Sequence, residues 1–563
     1  MIEDVYEPLK EYCDSLREKF AELTRQKFRD LLAKSGVDVE ANRKLVAEIN
    51  DLTTKSSGKS AKHTLLLIIC IISLTGAAVC GVLAYNANLQ LNELTGLIIA
   101  CIAFLILTVA SAIKCVKLYK LIKTLEDVIS RKTEEAREQM RPLNDLYTWD
   151  IPIALIEKTV PRLAFDPYFT IERLEDLKRL FGWDDSFNDG KSILFAQSGT
   201  INGNPFVFGE FLEMNWETKT YTGYKTISWI DSVIGIDGKR YLIPKMQTLS
   251  ASVTKPCPAY SKDKLLIYGN DAAPHLNFSR TPSDLSNAEE GFITDFRKRQ
   301  VLKDLQEYSE NLDDDSNYTL MANHEFETLF NARNRDNEVE FRLLFTSLAQ
   351  EQILKLMKDD RIGYGDDFTF IKREKINLLR SRHLSDFSLS TDPKIFHDWN
   401  FDRAHLNFLN INENYFKNLY FSLAPLLSIP LYQQTRTCED IYKNAISEQS
   451  SFWEHEAIAN YYGNEYFQHQ DCVTENILKT EFVSRQGDIA KIRVIANGFG
   501  SRERIDYQMV WGGDGELHKV PIKWTEYFPV KKESYIYLSE NPKYPPCNKP
   551  PNSIFRRNIY AYI

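Results

Sequence analysis

Two long apolar runs near the amino terminus dominate the hydrophobic pattern. The first extends from Thr64 to Tyr85 and the second from Leu94 to Ile113, and neither contains a charged residue. A helix rises about 1.5 Å per residue, so each run can cross roughly 30 Å of hydrocarbon. The pattern predicts a transmembrane hairpin over 61–113, with spans 64–85 and 94–113 joined by a polar connector, 86–93. A buried hairpin in a soluble core is the alternative, but such helices usually keep one polar face.

Lysines flank the two runs on the side away from the connector. They are Lys55, Lys59 and Lys62 before the first run and Lys114, Lys117, Lys120 and Lys123 after the second. Positive residues concentrate on the cytoplasmic side of membrane spans. We therefore expect a multi-pass protein of the cell (plasma) membrane, with the lipid bilayer as a partner and both termini cytoplasmic.

Small residues recur four apart within each run. Ala77 and Gly81 share one helix face in the first span, and Gly96 and Ala100 share one in the second. Such faces allow helices to approach closely. Packing of the two spans on each other and homo-oligomerisation both remain open.

The spacing of hydrophobic residues differs between the two regions that surround the hairpin. Helical periodicity predicts cytoplasmic amphipathic helices in 1–60 and a helical stalk in 114–146, ending near Pro142. Beyond it, alternating runs predict a β-rich domain (147–285), an α+β domain (286–440) and a C-terminal antiparallel β domain (441–563). The expected fold class is an α+β membrane protein with a transmembrane hairpin, a helical stalk and cytoplasmic antiparallel β-rich domains.

Within these domains, the sequence pattern predicts individual strands, turns and loops. The predicted strands are 193–197, 205–212, 218–230, 241–254, 477–484, 489–496, 505–511 and 517–524. Asp237-Gly238 is a hairpin turn signal, and Pro256 and Pro258 are expected to end the first β unit. The acidic 313–315 run is expected to be a solvated loop, Leu419–Leu431 a buried core segment and 541–551 a Pro-rich surface tail.

Several short motifs occur between residues 60 and 440. They are Ile193-Leu194-Phe195, Tyr221-Thr222-Gly223-Tyr224, Asn323-His324-Glu325-Phe326, the stretch 338–346, Asp367-Phe368-Thr369-Phe370 and Leu423-Ala424-Pro425-Leu426-Leu427. With the two-span hairpin, they resemble a bacterial family of two-pass membrane proteins known only as a domain of unknown function. They are also similar to uncharacterised proteins of mycoplasmas and other low-GC bacteria. The resemblance implies a bacterial membrane protein without an assigned reaction.

Composition narrows the function classes. The 563 residues are 43% hydrophobic and 26% charged, with a formal net charge of −9. Basic and acidic residues are interleaved, so nucleic acid is not an expected partner. The 9 cysteines are scattered without CxxC pairs, which is typical of reduced thiols rather than a disulfide framework.

One cluster could hold a metal ion. Glu454, His455 and Glu456 lie on a predicted helix, with His469, Asp471 and Cys472 downstream. Imidazole, carboxylate and thiolate are all zinc ligands, and His455, Glu456, His469 and Cys472 are the candidate set. The spacing differs from HExxH because Ala459 stands where the second histidine would be. Ordinary polar residues are the alternative, and no cofactor is expected.

Two further features have structural and functional interpretations. The glycines of 497–502 could approach a phosphate, but no Walker lysine follows, and a loop between strands is expected. Trp216, Tyr221, Tyr224 and Trp229 could form a binding face, or they could fill the core of the sheet.

These observations leave two functional hypotheses. The first is a membrane-anchored cytoplasmic scaffold or protein-binding protein, with a protein partner or a homo-oligomer as its complex. The second is a membrane-bound metal-dependent hydrolase that uses the 454–472 cluster. No motif establishes a catalytic residue.

Overall fold

The structure is a computed structural model, and it describes residues 7–86, 91–234, 236, 239–286, 288, 291–310, 318–435, 449–540 and 552–563. The chain forms two compact units. One consists of Met1–Phe20, Trp149–Thr391 and Glu413–Ile563, and the other of Ala21–Thr148 and Asp392–Asn412. The predicted Asp237-Gly238 turn, the acidic 313–315 run, residues 87–90 of the connector and the whole tail 541–551 lie outside the described residues.

The first described elements are helices. They are α1 (Pro8–Glu11), a π-helical turn (Tyr12–Leu16), α2 (Arg17–Ser35), α3 (Val39–Asn86) and α4 (Leu91–Asn144). Both predicted spans are continuous with the helices that flank them. Pro142 lies inside the last turns of α4, where the helix ends two residues later than the proline signal indicated.

Helices α3 and α4 are long and apolar enough to cross a membrane. Their most apolar windows are only 11% and 6% buried. A core helix of a soluble protein would be mostly buried, so the exposed apolar surface distinguishes these helices from such a hairpin. Outside the apolar part, Leu45 and Ile49 of α3 pack against Ala136 of α4, and Lys132 pairs with Glu48 at 2.7 Å.

The other unit contains two antiparallel sheets. The larger has the strand order β1-β2-β3-β4-β7-β6-β5 and the smaller β11-β12-β10-β9-β8. The strands are β1 (Leu163–Phe165), β2 (Lys191–Ile201), β3 (Asn204–Ile234), β4 (Arg240–Gly269), β5 (Asn277–Arg280), β6 (Phe368–Arg373), β7 (Ile376–Ser381), β8 (Ile477–Gln486), β9 (Ile489–Trp511), β10 (Leu517–Glu540), β11 (Ile554–Arg556) and β12 (Ile559–Tyr562).

The remaining helices of the described residues lie between these strands in the sequence or follow α4. They are α5 (Ile151–Thr159), α6 (Ile171–Phe181), α7 (Phe292–Glu310), α8 (His324–Phe330), α9 (Glu338–Leu344), α10 (Ser347–Lys358), α11 (Arg382–Ser385), α12 (Phe401–Leu427), α13 (Pro430–Gln434), α14 (Phe452–Tyr462) and α15 (Asn464–Phe467), with 3-10 turns at Asp185–Asn188 and Pro393–Phe396. Leu419, Leu423 and Leu427 are buried, so the prediction of a core segment there is confirmed.

Helix α14 joins the two sheets through opposite sides. Trp453 and Ala457 pack in the core of the larger sheet, and Ile458 and Ala459 pack in the core of the smaller one. One helix thus contributes to both hydrophobic cores. The residues on either side of the boundaries expected near 285 and 440 belong to one compact unit.

Several strands are longer than the sequence predicted. The predicted strands 489–496 and 505–511 are one strand, β9, and the expected loop at 497–502 is therefore wrong. Glycine is required at two positions of this strand because neighbouring side chains lie close to its backbone. A Cβ on Gly498 would clash with Asn476, and one on Gly500 with the ring of Phe528. Pro256 and Pro258 do not end β4, which continues to Gly269.

Candidate binding surface

Two long β-hairpins extend from the sheets, and we call their distal parts the first and second ribbons. The first ribbon is residues 214–234 of β3 paired with 240–260 of β4. The second is residues 501–511 of β9 paired with 517–527 of β10. Each is a two-stranded antiparallel structure, which is marginally stable in water by itself. The ribbons must therefore gain stability from packing.

The two ribbons pack face to face. Ile227, Leu249 and Ala251 of the first form a buried cluster with Val520 and Ile522 of the second. Residues at alternate positions of a strand point to the same side, so this cluster defines the inner face of each ribbon.

Two contacts fix the approach of the ribbons. Lys255 pairs with Asp506 at 2.6 Å and lies 4.4 Å from the centre of the Trp524 ring. A Cβ on Gly223 would clash with the carbonyl oxygen of Pro521. Glycine at this position allows one backbone to lie directly on the other.

The second ribbon ends before the first. Its turn packs on Trp229, and the backbone N–H of Gly513 donates to Oε1 of Gln247 at 2.7 Å. Residues 230–234 and 240–246 of the first ribbon continue beyond this turn. The end of the first ribbon is therefore covered on neither face by the second ribbon.

The outer face of the first ribbon is uncharged along most of its length. Between the Thr218–Pro256 pair and the distal end, its uncharged residues are Thr218, Thr220, Thr222, Tyr224, Thr226, Ser228, Ile230, Ser232 and Ile234 in β3, and Leu242, Pro244, Met246, Thr248, Ser250, Ser252, Thr254 and Pro256 in β4. All of them are exposed. The first charged side chain on this face is Arg240, opposite Ile234 at the end of the ribbon.

Large apolar side chains concentrate at the distal end of this outer face. Their exposed fractions are 66% for Tyr224, 68% for Ile230, 69% for Ile234, 70% for Leu242 and 75% for Met246. Soluble proteins rarely expose apolar side chains as a contiguous patch unless the patch binds something. This part of the face has the character of an interaction surface.

Apart from Arg240, the charged residues in the described part of the first ribbon lie on the inner face. Lys219, Lys225 and Lys255 occupy inner positions, as do Asp231 and Lys245, and the last two form an ion pair at 2.6 Å. The second ribbon is arranged differently, because its outer face carries lysines. There Lys519 lies opposite Met509, and Lys523 opposite Ile505.

The aromatic residues predicted to form a binding face are divided between the two sides. Tyr221 and Trp229 pack against the inner cluster and fill the core, as one of the two interpretations expected. Tyr224 is exposed on the outer face. Trp216 is half exposed, and its ring lies edge-on to Phe499 at 5.0 Å. Only Tyr224 belongs to the apolar patch.

The candidate zinc ligands on α14 have different partners. Nε2 of His455 is 3.1 Å from Oγ of Ser450. Glu456 accepts a hydrogen bond from the backbone N–H of Ile193 at 3.0 Å and pairs with Lys479 at 3.4 Å. Successive residues of an α-helix point about 100° apart, which separates the two side chains.

The downstream candidates are also engaged locally. Nδ1 of His469 accepts from the backbone N–H of Asp471 at 3.2 Å, and Sγ of Cys472 is 3.4 Å from the carbonyl oxygen of Thr474. Among the described residues, His455, Glu456, His469 and Cys472 do not form a group with ligand atoms within 4.8 Å of one another. The structure does not bring the predicted metal cluster together.

Burial changes the acid–base properties of the α14 pair. Desolvation lowers the pKa of His455 to about 3, with the nearby charge of Arg485 acting in the same direction. Desolvation raises the pKa of Glu456 to about 7, and Lys479 partly opposes that shift. Both groups are therefore held in surroundings that favour their neutral forms.

Sequence reasoning missed a group in the turn of the second ribbon. Ligand atoms of Asp514, Glu516 and His518 lie within 4.8 Å of one another. The two-residue spacing of Asp514, Glu516 and His518 leading into β10 was the available signal. Nε2 of His518 lies 2.7 Å from Asp514, and the backbone N–H of Glu516 donates to Asp514 at 3.1 Å. These contacts stabilise the turn.

The four small residues predicted to form packing faces on the two apolar helices have different surroundings. Ala77 is buried, and Sγ of Cys101 lies 3.5 Å from its carbonyl oxygen. A Cβ on Gly81 or Gly96 would have no atom within 4 Å, so these glycines do not lie at the described helix contact.

Other residues make the close approach of α3 and α4. Gly76 faces the ring of Phe104, and the hydroxyls of Ser73 and Thr108 are 2.8 Å apart. Ala100, predicted to share a packing face with Gly96, is partly exposed.

Comparison with known proteins finds no matching family model, no matching curated protein and no matching solved structure.

Proposed function

We propose that this chain is a membrane-anchored scaffold that binds a protein partner through the outer face of the first ribbon. The observation that carries the proposal is the exposed, uncharged outer face with its apolar distal end. In the proposed arrangement α3 and α4 cross the plasma membrane, both termini are cytoplasmic, and the ribbons lie on the cytoplasmic side.

The distribution of lysines supports this orientation. Lys55, Lys59 and Lys62 precede the first apolar run, and four lysines follow the second within the next ten residues, from Lys114 to Lys123. Lysines near the ends of spans are retained on the cytoplasmic side.

The apolar patch is large enough to supply binding energy. Burying one large apolar side chain contributes about 1.5–3 kcal/mol when the whole side chain leaves the water. Tyr224, Ile230, Ile234, Leu242 and Met246 are each about two-thirds or more exposed. Covering all of them would contribute on the order of 5–10 kcal/mol, which is comparable to the lower range of the association cost.

The hydrolase hypothesis has less support. It needs His455, Glu456, His469 and Cys472 to share one metal ion, whereas these residues have separate local partners. Metal analysis of the purified full chain tests this alternative. Stoichiometric zinc that is lost in His455→Ala would favour the hydrolase over the scaffold.

Photo-cross-linking in native membranes tests the proposed surface. A benzoyl-phenylalanine residue replaces Met246 on the outer face of the first ribbon in the full chain. The matched control replaces Met509, which is 55% exposed on the outer face of the second ribbon. We expect a discrete protein adduct from position 246, and its loss when Ile230→Ser and Leu242→Ser are added. Absence of a protein adduct from position 246, or equal adducts from both positions, would contradict the proposal.

A further inference from the structure

We infer that the partner on the outer face of the first ribbon is the same face of a second copy of this chain. The inference rests on the proposed function and names the partner of that surface. Two ribbons would stack outer face to outer face, related by a two-fold axis. Such an isologous contact requires a surface that is complementary to itself.

The hydroxyl groups of the outer face meet this requirement. Thr220 and Thr254 lie opposite each other with their hydroxyl oxygens 3.3 Å apart, and those of Thr226 and Thr248 are 3.2 Å apart. A hydroxyl both donates and accepts hydrogen bonds. A row of hydroxyls can therefore pair with an identical row, which a row of carboxylates or ammonium groups cannot do.

The apolar end of the face is self-complementary for a simpler reason. Ile230, Leu242 and Met246 lie on neighbouring rows of the face. Apolar side chains carry no charge, so an identical surface does not repel them. Stacked sheets commonly exclude water by interdigitating such side chains across about 10 Å. Two copies of this patch can cover each other's apolar side chains, and the hydroxyls of Ser228 and Ser232 between them can each donate and accept a hydrogen bond across the contact.

The placement of charge favours a second copy over an unlike partner. Proteins usually select unlike partners by complementary charges, but the outer face is uncharged from Thr218 to Ile234 and from Leu242 to Pro256. The ion pair of Asp231 with Lys245 lies on the inner face. An uncharged face offers no repulsion to its own copy. The second ribbon would bring the lysines of two copies together at Lys519 and Lys523.

The same charge pattern disfavours a lipid surface. Anionic headgroups attract clusters of basic residues, whereas the outer face has Arg240 at its end and uncharged residues over the rest of its described length. Anchoring in one membrane also confines copies of the chain to a shared plane, which raises their effective concentration. These points together favour the second copy.

Co-capture of two tagged copies that carry like or opposite charges at one position tests the inference. Full-length chains with two different affinity tags are produced together, solubilised in mild detergent and captured through one tag. One pair of variants carries Leu242→Lys or Leu242→Glu, and Met509→Lys on the second ribbon is the control. We expect co-capture of wild-type copies, at least a ten-fold loss for Lys with Lys and for Glu with Glu, and recovery when the Lys and Glu copies are combined. The control should behave like wild type.

Each other outcome overturns a defined part of the account. If wild-type copies are not co-captured, or if Lys with Lys is captured as well as wild type, or if Lys with Glu is not recovered, the second-copy inference is wrong. If position 246 then still cross-links to a different protein in the membrane, the proposed function stands without the inference. If position 246 gives only lipid adducts or none, both are wrong.

Discussion

Replacing Glu456 with glutamine should change how the stability of the protein depends on pH. Burial raises the pKa of Glu456 from the ordinary value of 4.5 to about 7. The folded state therefore holds a proton that the unfolded state releases between these two values. The contribution of Glu456 to stability is fully present below pH 4.5 and is lost as the pH rises to about 7.

The size of the effect follows from the shift. A difference of one pKa unit corresponds to about 1.36 kcal/mol, so the shift to about 7 corresponds to about 3 kcal/mol. Glutamine does not titrate. The free energy of unfolding of wild type, relative to Glu456→Gln, should therefore fall by about 3 kcal/mol between pH 4.5 and pH 7.

The difference in unfolding free energy between wild type and Glu456→Gln separates the contribution of Glu456 from that of His455. Burial lowers the pKa of His455 to about 3 from its ordinary value of 6.5. Its contribution is present above pH 6.5 and is lost as the pH falls, which opposes the trend of Glu456 in the same range. His455 is retained in both proteins, so its contribution cancels in the comparison.

Denaturant unfolding of the full chain in detergent micelles measures the difference. Tryptophan fluorescence is a suitable signal because Trp453 is fully buried three residues before Glu456. The companion variant His455→Gln should show the opposite trend relative to wild type. A difference between wild type and Glu456→Gln that stays constant from pH 4.5 to pH 7 would refute the reasoning.

Two further substitutions test packing. Gly223→Ala places a methyl group against the carbonyl oxygen of Pro521 and should destabilise the ribbons by about 1–3 kcal/mol; limited proteolysis should show faster cleavage in the ribbons, while Gly58→Ala, which meets no atom within 4 Å, should not. Asp366→Asn leaves the guanidinium of Arg280, fully buried and paired at 2.7 Å, without its counter-charge and should reduce the free energy of unfolding by about 3–5 kcal/mol. Unchanged denaturation curves would show that this pair contributes little.

The sequence predicted the two long apolar helices and the positions of most strands because both depend on local patterns. The spans are uncharged over 64–85 and 94–113, and α3 and α4 contain them. Alternation in 218–230 and 241–254 likewise gave parts of β3 and β4. The lengths of β4 and β9 were not predictable, because proline and glycine usually interrupt strands, whereas β4 continues through Pro256 and β9 through Gly498.

The binding surface depends on contacts that a single sequence does not reveal. Tyr221 and Tyr224 differ in position by three residues, so alternation places them on opposite faces of β3, but only the position of the second ribbon decides which face is covered. The predicted zinc ligands are not brought together for a similar reason. His455 and Glu456 are adjacent in sequence, yet a helix directs them to different partners.

Thiol labelling in oriented membranes tests the central claim most directly. Single cysteines replace Leu242 on the first ribbon and Met509 on the second, which are 70% and 55% exposed in one copy of the chain. Labelling by a membrane-impermeant maleimide is measured as the increase over the parent chain. We predict labelling at both positions only when the cytoplasmic side is accessible, with Leu242→Cys reacting more slowly than Met509→Cys because its face is covered. Labelling from the opposite side, or faster reaction at position 242 as its greater exposure alone would give, would contradict the account.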